Sequence, residues 1–345
     1  MQNKKSKILV TGGIGYIGSH TAVALIEQNY EVIIVDNLSN SHLFILDRIE
    51  QISGVRPKYY NMDVCDAVQM DKLFAENSDI SGVIHFAAYK AVGESVAEPL
   101  KYYHNNLGGL VTLIQSMQKH QVKNLVFSSS CSVYGNATQL PVDENCPLQP
   151  AESPYGNTKR ICEEILVDTT KTGTINAIAL RYFNPIGAHE SGLIGELPIG
   201  QPSNLIPVIT QTAAGLRDMI TVFGSDYNTP DGTCIRDYIH VVDIADAHVA
   251  AVERMLNNKQ LYTYELYNLG TGEGVSVKHA INTFEATTGV KANHQYGPRR
   301  DGDVIQIWAD CTKSNKELGW KTKLSLADAM ISAWKWQQEI LKLGL

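Results

Sequence analysis

Short apolar runs alternate with longer amphipathic stretches through the first half of the chain. Ile8–Val10, Glu31–Val35, Gly82–Phe86, Asn124–Ser128 and Asn176–Leu180 read as strands, and a further strand is placed just ahead of Asp63. Gly18–Gln28, Val68–Asn77, Leu107–His120 and Pro154–Thr170 carry apolar residues at helical spacing. Strands separated by helices build βαβ units, so the expected class is α/β, with a Rossmann-type doubly wound parallel sheet. Past about residue 182 the texture changes. From Asn184 to Asp237 Gly and Pro are frequent and periodic runs few, which predicts a loop-rich segment over the sheet edge. Val242–Met255, with Asp243 as candidate N-cap, and Leu326–Leu341 restore the helical period. The expected division is a nucleotide-binding domain over 1–182, with 236–258 packing back onto it, and a smaller loop-rich α/β substrate domain over 183–345.

Composition narrows the class without naming a partner. With 345 residues, 44% apolar and 19% charged, the chain is long enough for two domains or one enlarged α/β unit, and it is neither disordered nor fibrous. The charge sum of −7 argues against a nucleic-acid binder and against a polybasic membrane binder. Cys65, Cys131, Cys146, Cys162, Cys234 and Cys311 are scattered without a C-x-x-C pair, so reduced thiols are expected. The ten His are equally dispersed, and no metal site is expected. The apolar run after Met1–Lys7 breaks at Thr11-Gly12-Gly13, too soon for a signal-peptide core or a membrane span, and a cytoplasmic location is expected.

The first candidate site lies where Ile8–Val10 runs into Thr11-Gly12-Gly13-Ile14-Gly15-Tyr16-Ile17-Gly18 and a helix follows. Glycines at this junction allow a tight turn, let the backbone approach a pyrophosphate and let the helix pack closely, with phosphate at its N-terminus. The second strand ends at Asp36, eighteen residues after Gly18. A carboxylate there accepts both ribose hydroxyls and repels a 2′-phosphate, which favours NAD over NADP. Asp63-Val64 suits the adenine edge, and the small residues of Phe86-Ala87-Ala88 stand where a dinucleotide crosses the sheet.

The second candidate site is a proton relay. Tyr155 and Lys159 are four apart and share a helix face, with Ser153 as N-cap and Pro154 at the first helical position. Ser128-Ser129-Ser130 ends the strand upstream. A Tyr of pKa ~10 needs about 4 kcal/mol of electrostatic help to work as a base near pH 7, from Lys159 and a cationic nicotinamide. Ser130 is placed to hold the reacting oxygen.

Thr11–Gly18, Asp36-Asn37, Ser130, Tyr155 and Lys159 together resemble the extended short-chain dehydrogenase/reductase superfamily. His85–Ser95, Arg181–Ala188 and Arg236–Val241 narrow the resemblance to its UDP-glucose 4-epimerase family, from about Lys7 to Trp336. The resemblance implies an enzyme, an isomerase with tightly bound NAD that exchanges UDP-glucose and UDP-galactose: oxidation at C4, rotation of the 4-keto sugar, and reduction on its other face. Carried over by position, NAD contacts fall on Gly12, Gly15, Tyr16, Ile17, Gly18, Asp36, Asn37, Asn40, Ser41, Asp63, Val64, Phe86, Ala87, Ala88, Lys90, Asn105, Ser128, Tyr155, Lys159 and Phe183. UDP-sugar contacts fall on Lys90, Ser130, Tyr155, Asn184, Asn204, Leu205, Phe223, Arg236, Tyr238, Arg300 and Asp303. The Arg residues suit a diphosphate clamp, with surface pairing to Asp237 or Asp301 as the plain alternative; Arg299 is left undecided. Family likeness also implies a homodimer through helices near 95–118 and 154–170. It further implies that Ile307 sets the room beside the sugar C2 substituent, leaving N-acetylated UDP-hexosamines as further substrates.

Other readings remain open on the sequence. A UDP-N-acetylglucosamine or UDP-uronate 4-epimerase shares the frame, although the uronate enzymes usually lack an Asn-Pro like Asn184-Pro185. A 4,6-dehydratase would need an Asp-Glu pair where Cys131-Ser132 stands. A non-catalytic nucleotide-sugar or NAD sensor would have no use for Ser130, Tyr155 and Lys159. His240, Asp243 and His248 are read as packing and capping residues rather than metal ligands, and Cys131 as a buried thiol without a role.

Overall fold

In the computed structural model, residues 6–300 and 303–345 are described, so Met1–Lys5 and Asp301, one of the two suggested Arg partners, lie outside the description. The first half runs β1 (Lys7–Thr11), α1 (Tyr16–Glu27), β2 (Glu31–Asp36), α2 (Phe44–Ser53), β3 (Lys58–Asn61), α3 (Ala67–Glu76), β4 (Ile80–His85), α4 (Val92–Ala97), α5 (Pro99–Lys119), β5 (Asn124–Ser130), α6 (Pro154–Thr170) and β6 (Asn176–Tyr182). The second half adds β7 (Asn184–Ile186), α7 (Leu205–Ala213), β8 (Ile220–Phe223), β9 (Ile235–Arg236), β10 (Tyr238–His240), α8 (Val241–Leu256), β11 (Tyr264–Leu269), β12 (Val275–Ser276), α9 (Val277–Thr288), β13 (His294–Gly297), β14 (Gln306–Ile307) and α10 (Leu326–Leu343).

The central sheet has seven strands in the order β11-β6-β5-β4-β1-β2-β3, and every adjacent pair is parallel. Its apolar runs are continuous because helices cover both faces. Ile8, Val10, Ile34, Ile84, Val126 and Ile178 face α1, α2 and α8, whereas Leu9, Ile33, Val35, Val83, Leu125 and Phe127 face α3, α5 and α6. This is the α/β doubly wound sheet that the alternation of elements predicts.

Three differences from the sequence reading have physical causes. α5 starts at Pro99, well before Leu107, because Pro occupies its first turn and the early turns are largely polar, apart from a buried Tyr102. β11 has the sequence YELYNL, whose polar residues hide an edge strand that pairs with β6 along its whole length. Asp243 is not the N-cap of α8. That helix follows β10 without a loop, His240 Nδ1 accepts from the N–H of Val242, and Asp243 instead accepts from the N–H groups of Lys323 and Leu324 at 3.1 Å each.

Beyond β6 the elements are short. β7 pairs with β10, β9 lies between β12 and β14, and β8 pairs with β13. Ile186, Ile209, Val222, Ile281, Phe284 and Met330 gather into a second core between α7, α9 and α10. The chain returns to the central sheet twice, through α8 against α1 and through β11.

Candidate active site

β1 and β4 are neighbours whose following helices cover opposite faces of the sheet, so a crevice opens at their carboxyl ends. Gly12 closes β1 with φ at +69°, and a Cβ there would come within 2.8 Å of the Ala87 nitrogen beyond β4. A Cβ on Gly18 would meet the Gly12 carbonyl oxygen at 2.2 Å, so only glycine lets α1 approach the turn. Gly15 is the N-cap of α1 and no side chain caps it, which leaves the first-turn N–H groups at Tyr16 and Ile17 without a side-chain acceptor. Thr11 Oγ1 bonds His85 Nδ1 at 2.7 Å and joins the two strand ends. Burial pushes His85 down to about 3, so its ring stays neutral.

Asp36 ends β2 with both carboxylate oxygens in use. Oδ1 accepts from Leu38 N–H at 3.0 Å and Ser41 Oγ at 2.7 Å, and Oδ2 accepts from Ile14 N–H at 3.4 Å. Burial raises its pKa and these donors pull it back. Asn37 Nδ2 lies 3.5 Å from Asp63 Oδ2, which groups four of the sequence-predicted residues at one edge. Asn40 is exposed in the same turn, whereas Val64 is buried and packs beneath Gly109 of α5. Phe86 packs against the His248 ring, 4.6 Å between centroids, and Ala87 and Ala88 are half-buried. Asn105 is half-buried on α5 and Phe183 fully buried between β6 and β7.

The residues of the candidate relay lie where β5 meets α6. Ser153 caps α6 by accepting from Gly156 N–H at 3.2 Å, which fixes Tyr155 in the first turn and Lys159 one turn on. Lys159 is buried and donates to the Ser128 carbonyl oxygen at 2.6 Å; loss of solvent lowers it to about 8. Burial is the largest influence on Tyr155 and holds it at about 12, although the Ser130 hydroxyl beside it pulls the other way. Ser130 Oγ accepts from Ser132 N–H at 3.2 Å and Ser132 Oγ at 3.0 Å, so its own proton is left to donate. Ser128 Oγ is occupied by the Tyr182 hydroxyl. Cys131 is pushed up to about 12 by burial, so its thiol stays protonated.

A polar cluster gathers in the second half. Arg300 Nη2 lies 2.6 Å and Arg236 Nη2 4.0 Å from Asp303 Oδ1, and the Arg300 guanidinium sits 5.3 Å over the Phe223 ring. Ile307 is buried opposite Arg236 in the β14–β9 register, and Tyr238 is opposite Asn184 in β10–β7. Asn184 Oδ1 is buried with no hydrogen-bond partner, an acceptor awaiting a donor. Asn204 precedes Leu205 at the start of α7 and donates to Glu196 at 2.6 Å. Asp237 does not pair with Arg236: neighbouring side chains on a strand point apart, and Asp237 is buried, accepting from Thr271, Gly272 and Ala309. Arg299 is held by Asp226 at 2.8 Å and stands apart from the cluster.

Two groups close to the relay residues escaped the sequence reading. Buried Asn106 accepts from Tyr89 N–H at 3.0 Å and donates to Tyr89 O at 3.1 Å and Thr158 Oγ1 at 3.0 Å, tying the loop after β4 to α6. Beneath the relay, Glu163 accepts from Ser129 and pairs with buried Arg181. A polar residue on the apolar face of α5 is the only signal the sequence offers for Asn106. Among the described residues no group of three His, Cys, Asp or Glu is arranged to hold a metal, and all six thiols are free.

A model of the family described as GDP-mannose 4,6 dehydratase matches residues 9–332. The UDP-glucose 4-epimerase of Bacillus subtilis is 49% identical over 331 residues, 96% of this chain and 96% of its own. A solved structure of UDP-glucose-4-epimerase from Stenotrophomonas maltophila, with bound NAD and formylated UDP-arabinopyranose, superposes with a TM-score of 0.95 at 46% identity, covering 98% of this chain and 99% of that one. The Bifidobacterium longum UDP-glucose 4-epimerase, solved with NAD+ and UDP, gives 0.92 at 46% identity, covering 97% and 98%. A glycine turn, a strand-end serine with a Tyr–Lys pair, and whole-length likeness of this order place the chain in one group: it belongs to the UDP-glucose 4-epimerase family.

Proposed function

We propose that the protein interconverts UDP-glucose and UDP-galactose, holding NAD in the crevice at the ends of β1 and β4 and regenerating it within each turnover. The observation that carries this reading is the relay at the β5–α6 junction, where Ser130 keeps a free proton, Tyr155 stands beside it and Lys159 is fixed by Ser128. NAD fits the chain's own residues: the tight turn that only glycine at 12 and 18 allows, because a Cβ at either would strike backbone, the start of α1 that no side chain caps, and Asp36 for the adenosine ribose. When bound, it supplies a hydride acceptor and donor at the sugar C4 and a positive charge beside Tyr155.

The protein's residues do the rest. Tyr155 takes the proton of the sugar 4-hydroxyl and later returns it. Ser130 donates its hydrogen bond to the C4 oxygen as charge builds there. Lys159, about 8 in pKa, is largely cationic at pH 7 and favours the phenolate. Arg236 and Arg300 clamp the diphosphate, and a firm hold on UDP with a loose one on the hexose lets the 4-keto sugar offer either face. Cys131-Ser132, in place of an acid–base pair, speaks against loss of water from the sugar.

The reading extends to three finer points. Ile307, buried beside Phe183, admits N-acetylated UDP-hexosamines more slowly than the plain sugars. Val92, Val96, Leu100 and Val111 are exposed on α4 and α5, which supports a homodimer through this side. Six unbridged thiols support action in the cytoplasm. The deciding experiment incubates the purified protein with UDP-galactose and, separately, with UDP-N-acetylgalactosamine, and identifies the products. UDP-glucose formed without added cofactor is the expected result; unchanged UDP-galactose would refute the reading.

A further inference from the structure

Glu196 lies in the loop between β7 and α7, and neither the glycine turn nor the relay draws on it. Its side chain is only 10% exposed. One oxygen, Oε1, accepts from Lys90 Nζ at 2.7 Å and from Asn204 Nδ2 at 2.6 Å. These donors come from opposite halves of the molecule: Lys90 from the loop after β4, Asn204 from the residue that opens α7. Asn204 makes no side-chain cap to its own helix, so Glu196 alone among the described residues sets where that amide points.

The backbone that carries this carboxylate is itself fixed. Trp336 of α10 donates its indole N–H to the Glu196 carbonyl oxygen at 3.0 Å, and Gly195 is pressed so close to that indole that a Cβ would sit 2.4 Å from it. On the other side, Lys90 Nζ lies 5.7 Å over the Tyr16 ring, and the Tyr16 hydroxyl donates to Gly187 O at 2.6 Å. A lysine on a flexible stem is thus held between a ring from the glycine turn and an anchored anion.

We infer that Glu196 is a positioning residue that couples the two ligand sites, orienting Lys90 and Asn204 through a single carboxylate oxygen. This rests on the epimerase reading, under which Lys90 faces both NAD and the UDP-sugar and Asn204 faces the UDP-sugar. Any ligand that orders one of the pair then orders the other, so occupation of one site tightens the other reciprocally.

The test uses the protein as purified with its NAD. UDP is titrated by calorimetry into wild type, Glu196→Ala and Glu196→Gln, and UDP-galactose turnover is followed alongside. Glu196→Ala is expected to weaken UDP at least tenfold and to raise KM in parallel, with kcat falling less than threefold. Glu196→Gln, which keeps an acceptor oxygen, recovers part of the loss and decides the matter if the Ala variant does not fold. Lys90→Met and Asn204→Ala are expected to combine non-additively in wild type and additively in Glu196→Ala. UDP affinity unchanged in both Glu196 variants, or the same non-additivity with and without Glu196, would overturn the inference. Glu196-dependent UDP binding in a protein that leaves UDP-galactose unchanged would uphold it and overturn the epimerase reading instead.

Discussion

At Tyr155 the surroundings work against the chemistry asked of it until charge arrives. Burial outweighs the Ser130 hydrogen bond and leaves the phenol at about 12, while Lys159 is held one helical turn away with its ammonium on the Ser128 carbonyl. Replacing the hydroxyl with hydrogen leaves the ring in place and removes the proton acceptor. Tyr155→Phe should therefore lower kcat by at least about a thousandfold, in the range of general acid–base catalysis, while UDP affinity by calorimetry stays within threefold. Retention of a tenth of the wild-type rate would contradict the assigned role. That Ser130, Tyr155 and Lys159 would lie together was legible in the sequence, because a strand end and one helical turn are local patterns. Asn106 and Glu196 were not, because their partners stand far along the chain: Thr158 for one, Lys90 for the other.

At the scale of elements, the turn between β1 and α1 has no tolerance for a side chain at Gly18. A methyl group there would sit 2.2 Å from the Gly12 carbonyl oxygen, so α1 would have to swing off the turn and carry its first-turn N–H groups with it. Gly18→Ala is expected to purify with less than about a tenth of the wild-type nucleotide, read from the absorbance released on denaturation. A fully loaded Gly18→Ala protein would mean that the cradle does not hold the cofactor. The buried parallel strands were readable as apolar runs, and Ser153 was readable as a cap. β11 was not, since an edge strand with Tyr264, Glu265, Tyr267 and Asn268 lacks the continuous apolar pattern. Asp243 misled because a helix that begins directly from a strand takes its cap from that strand, and His240 was already there.

Four histidines among the described residues are buried as neutral rings. Burial depresses His20 and His85 to about 3 and His240 and His248 to about 4. The unfolded chain protonates these rings near pH 6.5 and the folded chain does not, so between those limits the unfolded state binds more protons and stability falls as pH falls. Each ring contributes up to about 1.4 kcal/mol per pH unit below 6.5 and nothing above about 7.5. Buried Asp237 and Asp243, with raised pKa values, act in the opposite direction but nearer the carboxylate range. Thermal midpoints should therefore drop steeply between pH 7 and 5 and stay level from 7.5 to 8.5; a flat profile down to pH 5 would show that the rings are not buried neutral. The return of α8 and β11 to the central sheet has a consequence for how such proteins can be recombined. Cutting after Tyr182 would strip β6 of its outer neighbour and α1 of the helix packed on it, so the fragment is expected to aggregate rather than fold. A relative's sugar-recognition half cannot be grafted here with one crossover; the exchange has to leave 241–269 with the sheet and move the pieces on either side of it together.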